Sequence, residues 1–462
     1  MARTHRYQAR RNPLYAINGV ALAATLALTA CGGGGSTSVV GSAGTSAAGT
    51  ISGFGSVITN GVRYELNATT VVDESTGTTT RCSDNTSNCG LKLGMEVEIE
   101  GDEVRATTDG STPTSVARSI HVGSSIRGPV SSVASDGNSL VVLGQTIALT
   151  TSTRFEGGVM PVVGDVVEVH GLIDRSVTPS QISASLVEVK SGLVNSYRLR
   201  GRLDKVAGSV GGEPMSFAAL TGEDLTRYQA AVDGQIVRVK LSTTQDAQGR
   251  WVVQSFKSGE RTYGHADDGK HTELEGFIES LVTRPSEAAS GATAGVVVTG
   301  FVINGNTVSL PSGFSNLDGG TVDQLVVGAR VEVEGTVTDG VLVASKIEIK
   351  KAKKRSERGQ SGDSQSQEFE LHGTLELGTA PNTLVVRGLT FDLSDTAAVR
   401  LPAGVTFDDV LQWARQGKTV EIKGHLMADG NTYKLKSIKL ESRPKTTAAA
   451  ASARAVSTGL NP

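Results

Sequence analysis

One eight-residue pattern recurs along the chain and narrows what it can fold into. Gly94–Gly101 reads GMEVEIEG, and it returns as GDVVEVHG from Gly164, GARVEVEG from Gly328 and GKTVEIKG from Gly417. A looser copy, GQIVRVKL, starts at Gly234 and lacks the closing glycine. The apolar pairs Val97/Ile99, Val167/Val169, Val237/Val239, Val331/Val333 and Val420/Ile422 alternate with polar residues. That period of two belongs to a strand with one buried face. The residues between them (Glu98, Glu168, Arg238, Glu332, Glu421) fall on the outward phase and read as a solvated face rather than a catalytic set. The opening glycines are spaced 70, 70, 94 and 89 residues apart, which gives five units, the later ones with insertions.

Two more elements repeat in register. Upstream lies a hairpin whose second arm reads GVRYEL, GQTIAL, GEPMSF, GNTVSL or GLTFDL, and Asn60-Gly61 and Asn304-Gly305 suit a tight turn with positive φ. Downstream lies a closing strand such as ARSIHV, ASLVEV or ASKIEI. The connectors GEDLTRYQAAVDG and FDDVLQWARQG have acidic first turns and a terminal glycine, as helices do. The predicted fold class is therefore all-β, a tandem array of about five small OB-like β-barrel units with short connector helices. A β-sandwich is the alternative, though units this short rarely supply seven strands.

The expected boundaries are a signal peptide at 1–30, a tether at 31–48, units at 49–123, 124–192, 193–260, 274–350 and 369–442, joints at 261–273 and 351–368, and a disordered tail at 443–462. Unit three is the most divergent. The stretches GTISGFGSVITNGVRYEL with LGMEVEIEG, and VVGDVVEVHG with ISASLVEV, resemble the bacterial "domain of unknown function 5666" family, seen in tandem on exported lipoproteins. The resemblance spans most of residues 49–440 and implies no catalytic residue.

The N-terminus carries an address. Arg3, Arg6, Arg10 and Arg11 precede an apolar run, Tyr15–Ala30, that ends in Leu28-Thr29-Ala30-Cys31. This is the layout of a secretory signal rather than of a spanning helix, and the last four residues resemble the bacterial lipobox. The resemblance implies a lipid anchor on Cys31, with the following CGGGGSTS as a flexible tether. Gly32 in place of an aspartate favours the outer membrane, facing either the periplasm or the medium. In an exported chain the close pair Cys82 and Cys89 is expected to form a disulfide.

Net charge of −3 leaves no whole-molecule basic footprint for nucleic acid, and few aromatics lie on the strands, so no nucleic-acid partner is expected. No nucleophile elbow, phosphate-binding loop or zinc-protease helix occurs, so no catalytic residue, enzyme activity or cofactor is expected. GFGSVI at Gly53 reads only as a turn. His265, Asp267, Asp268 and His271, with Glu273 beside them, are the metal candidates, but they sit in a polar joint and no metal is expected. His121, His170, His372 and His425 read as surface residues. The function these features point to is a lipid-anchored envelope protein acting in non-enzymatic binding, adhesion or scaffolding, with an envelope protein or polysaccharide as partner. The alternatives are an oligosaccharide-binding or envelope-polymer-binding module, and an enzyme with its site in unit three.

Overall fold

The computed structural model describes residues 44–84, 88–106, 112–177, 179–258, 268–285, 296–351, 368–393, 396, 398–427 and 433–441. Cys31, the tether before residue 44, most of the charged joint and the tail lie outside the described residues. The described residues form a nearly all-β body with two short α-helices.

Each unit repeats one plan. Its opening strand (Thr45–Phe54, Ile126–Val133, Tyr197–Asp204, His271–Pro285 or Glu368–Leu377) pairs with the Gly-x-x-Val-x-Val strand of the same unit. The closing strand pairs antiparallel with the Gly-x-x-Val-x-Val strand and parallel with the second hairpin arm, as in Val308–Ser309 against Leu342–Val343. The strand order 1-2-3-5-4-1 closes an OB-like barrel and removes the free sheet edges. The alternating valines and isoleucines point inward, with Val97, Val167, Val237, Val331 and Val420 fully buried. Asn60-Gly61 and Asn304-Gly305 take positive φ at both positions (52° and 75°, 50° and 74°), the geometry of a two-residue hairpin turn. The two expected helices are α1 (Gly222–Ala230) in unit three and α2 (Phe407–Arg415) in unit five. Thr406 caps α2 through a reciprocal capping box with Asp409.

The units are not beads on a string. The opening strand of unit one pairs in parallel with unit four (Thr45–Ala48 with His271–Leu274) and, further along, with unit five (Gly53–Phe54 with Glu370–Leu371). Units two and three join through Arg127↔Arg198 and Ile126↔Leu199. Units one and five share one apolar core, units two and three share another, and unit four packs around a third.

These contacts move two expected boundaries. Thr45–Ala48, assigned to the tether, is strand, and its small side chains, with Ala47 and Ala48 buried, let unit four approach. His271–Glu273, assigned to a joint, opens unit four. Unit one is the hub. It also reaches unit two through Lys92–Glu188 at 3.0 Å and unit three through Glu74 and Arg238.

Candidate functional site

Where unit five docks on unit one, the contact depends on two glycines. A Cβ at Gly53 would sit 2.2 Å from the Glu370 carbonyl oxygen, and one at Gly55, where φ is 129°, would sit 2.1 Å from His372 Cβ. The sequence GFG is therefore a docking surface for a second backbone rather than only a turn. Beside it opens a polar cleft of about 570 Å³, lined from unit one by Arg63 and Asp102 and from unit five by Glu370, His372, Glu421 and Glu441.

Arg63 and the charged groups of unit five in this cleft form one network. His372 Nε2 lies 2.6 Å from Glu370 Oε1, and its Nδ1 lies 3.1 Å from Arg63 Nη1 and 3.2 Å from Glu441 Oε1. Arg63 donates to Glu441 at 3.1 Å and to Ser56 Oγ at 2.9 Å. Lys423 pairs with the other oxygen of Glu370 at 2.9 Å, and Lys439 pairs with Glu421 at 2.8 Å. Burial pushes the Glu370 carboxyl up, but hydrogen bonds from His372 and Lys423 outweigh it and hold the group down at about 2. Burial pulls the His372 imidazole down, and the carboxylates of Glu370 and Glu441 more than reverse that, so it titrates above its ordinary value.

The ligating atoms of Glu370, His372 and Glu421 lie within 4.8 Å of one another. Their charge is already balanced, since Lys423 sits 2.9 Å from Glu370 and 4.0 Å from Glu421. A divalent ion would have to displace an ammonium group. Among the described residues the side-chain partners of His372 are Arg63, Glu370 and Glu441, and no serine, threonine or cysteine is hydrogen-bonded to it. The arrangement works as an ionic clasp between two barrels.

Of the metal candidates singled out from the sequence, Asp268 and His271 lie away from this cleft. His265 and Asp267 lie outside the described residues. Asp268 accepts from the Gly340 amide at 3.4 Å, and His271 lies 3.3 Å from Glu273; the possible ligand group found among the described residues is a different one, Glu370, His372 and Glu421. Cys82 and Cys89 are joined in a disulfide, their Cα atoms 6.0 Å apart. Two readings need correction. His372 and His170 are not surface residues, being 5% and 3% exposed. Nor is the outward phase uniformly solvated, since Glu168 is 6% exposed and pairs with Lys190 at 3.2 Å. The cause is the same throughout: the outward face of one barrel is covered by another. The signal in the sequence was the doublet Glu370-x-His372 on that outward phase, opposite Glu421.

Comparisons with known proteins agree with the repeat. Residues 46–110, 127–183 and 290–348 match the family model described as "Domain of unknown function (DUF5666)", and these segments fall in units one, two and four. No curated protein matches the sequence. A solved chain described as "drosophila Unr CSD456" is 12% identical over 46% of this chain and 79% of that one. Its TM-score of 0.11 is too low for the likeness to bear on fold or function. Three of the five repeated units thus match that domain of unknown function, consistent with a tandem-repeat protein of that kind.

Proposed function

We propose that the protein is a lipid-anchored component of a bacterial outer membrane, held by acyl chains on Cys31, and that it acts by binding or scaffolding rather than by catalysis. The observation that supports this most is the use made of its charged groups. The His372 network and the pairs Lys92–Glu188 (3.0 Å) and Arg175–Glu279 (2.7 Å) all tie one unit to another. Side chains committed in this way hold the units against one another. Among the described residues no helix is long and apolar enough to cross a membrane, so on this reading attachment falls to the lipid. An envelope protein or anionic envelope polymer is the class of partner such a body would hold.

Fractionation of cells carrying the native chain and Cys31→Ser tests the anchor. The native chain should sediment with outer membranes and carry an acylated N-terminal cysteine by mass spectrometry, and the variant should leave the membrane fraction. A native chain that is soluble after lysis with an unmodified Cys31 would overturn the reading.

A further inference from the structure

The outward face of unit three carries rows of like charge that no local need explains. Across its opening, Gly-x-x-Val-x-Val and closing strands, Arg200, Arg238 and Lys257 lie directly opposite one another. In the next row Arg198 faces Lys240 on one side and Arg127 of unit two on the other. Like charges set opposite each other across a ladder are destabilising. Unit one extends an extra hairpin, Val62–Asp73 with Thr78–Cys82, so that its tip at Glu74–Gly77 borders this face. Between them lies a cleft of about 260 Å³ whose lining has five cations and one carboxylate, Glu74.

The balance of charge around the cleft is incomplete. Glu74 pairs with Arg238, and Glu96 lies 3.6 Å from Arg200. Arg198 has no hydrogen-bond or ion-pair partner among the described residues, and its Nε is buried without one. Burial and the neighbouring Arg127 both disfavour its charge, against weaker support from Glu168, Asp73 and Glu74. A half-buried guanidinium in that position presents its donor fork to an oxyanion. No aromatic ring lines the cleft, so it offers nothing for a base to stack on.

We propose that this cleft between unit three and the hairpin tip of unit one binds a phosphate-bearing ligand, its oxyanion seated between Arg198, Arg238, Lys240 and Lys257. Glu74 holds the place of the ligand's negative charge on Arg238 and is displaced when phosphate enters. The volume is below the ~300–1,000 Å³ usual for drug-sized ligands and suits a compact phosphorylated group. The phosphate could come from a lipid headgroup or from a soluble phosphate. The inference rests on the binding reading above only in expecting no turnover, and it does not depend on the anchor.

Calorimetric titration of the Cys31→Ser chain with inorganic pyrophosphate at low salt tests it. Saturable one-to-one binding is expected, weakened at least tenfold by Lys240→Gln with Lys257→Gln. Both lysines are exposed, so this variant should fold normally. Arg198→Gln should abolish binding. Glu74→Gln should tighten it several-fold, which a merely structural role for the cations would not produce. Vesicles of phosphatidylglycerol that compete with pyrophosphate, where phosphatidylcholine vesicles do not, would assign the headgroup as source; failure to compete would assign a soluble phosphate. No saturable binding, or binding unchanged in the double-lysine variant, overturns the site while leaving the Cys31 anchor untouched. Hydrolysis of bound pyrophosphate would confirm the site and overturn the non-catalytic reading instead.

Discussion

Units three and four use the same ladder with opposite charge. In unit three the middle row of the outward face reads Arg200–Arg238–Lys257, and in unit four the same row reads Glu275–Glu332–Glu348. Unit four resolves the conflict by itself: Arg330 holds Glu275 at 2.6 Å, and Lys350 holds Glu332 and Glu348 at 3.0 and 2.9 Å. Unit three borrows its counter-charges from unit one, through Glu74 and Glu96, and leaves Arg198 without a direct ion pair among the described residues. The inward valines fix the barrel in both. The outward phase is free to vary, and it varies with what lies against it.

The largest effect is expected where unit four's own counter-charge is removed. Glu275 is 6% exposed, and burial would push its carboxyl up were it not for Arg330 and Lys350, which bring it below its ordinary value. Arg330→Ala should therefore cost about 3–5 kcal/mol in denaturant unfolding, since it strands a buried charge. A loss under 1 kcal/mol would break the claim that unit four is self-balanced.

A smaller effect is expected one row further along. Glu273 is 3% exposed, and burial, aided by Glu332 and Glu334 and opposed by His271, raises its pKa from 4.5 to about 7. The native chain then holds this proton more tightly than the unfolded chain. Stability is full below pH 4.5, falls as pH rises, and has lost this contribution above pH 7. Glu273→Gln should abolish that slope and stabilise the protein by roughly 3 kcal/mol at pH 8. Parallel pH profiles for variant and native chain would show that the carboxyl does not titrate in that window.

The smallest effect is expected in unit three. Lys257→Glu places an opposite charge across from Arg238 and should raise stability by about 0.2–1 kcal/mol. A destabilised variant would show that the cationic row is already compensated, and the contrast with unit four would lose its meaning.

The barrels were legible in the sequence because their signals are local. Alternating valines, Asn-Gly turns and the acidic starts of α1 and α2 each report on a few consecutive residues. The joins between units were not. Thr45–Ala48 carries only small residues and reads as tether, yet its smallness is what admits a neighbouring strand. The clasp of Arg63, His372 and Glu441 spans nearly the whole repeat array, and each member sits on a phase that reads as solvent-facing in a lone barrel. In the sequence Glu273 stands beside a metal candidate set, whereas its buried place comes from the strand it continues. Sequence periodicity shows which side of a strand is inside its own barrel and says nothing about what covers the other side.

The central claim is that strand sharing through unit one joins units one, four and five into one continuous sheet. Native-state hydrogen exchange along Thr45–Ala48 tests it most directly, because alternate amides there face Glu98–Gly101 within the unit and His271–Leu274 across the join. The account predicts that both sets exchange as slowly as the barrel cores. Fast exchange at every second amide, with its neighbours protected, would mean that this join is open and that units one and four move independently.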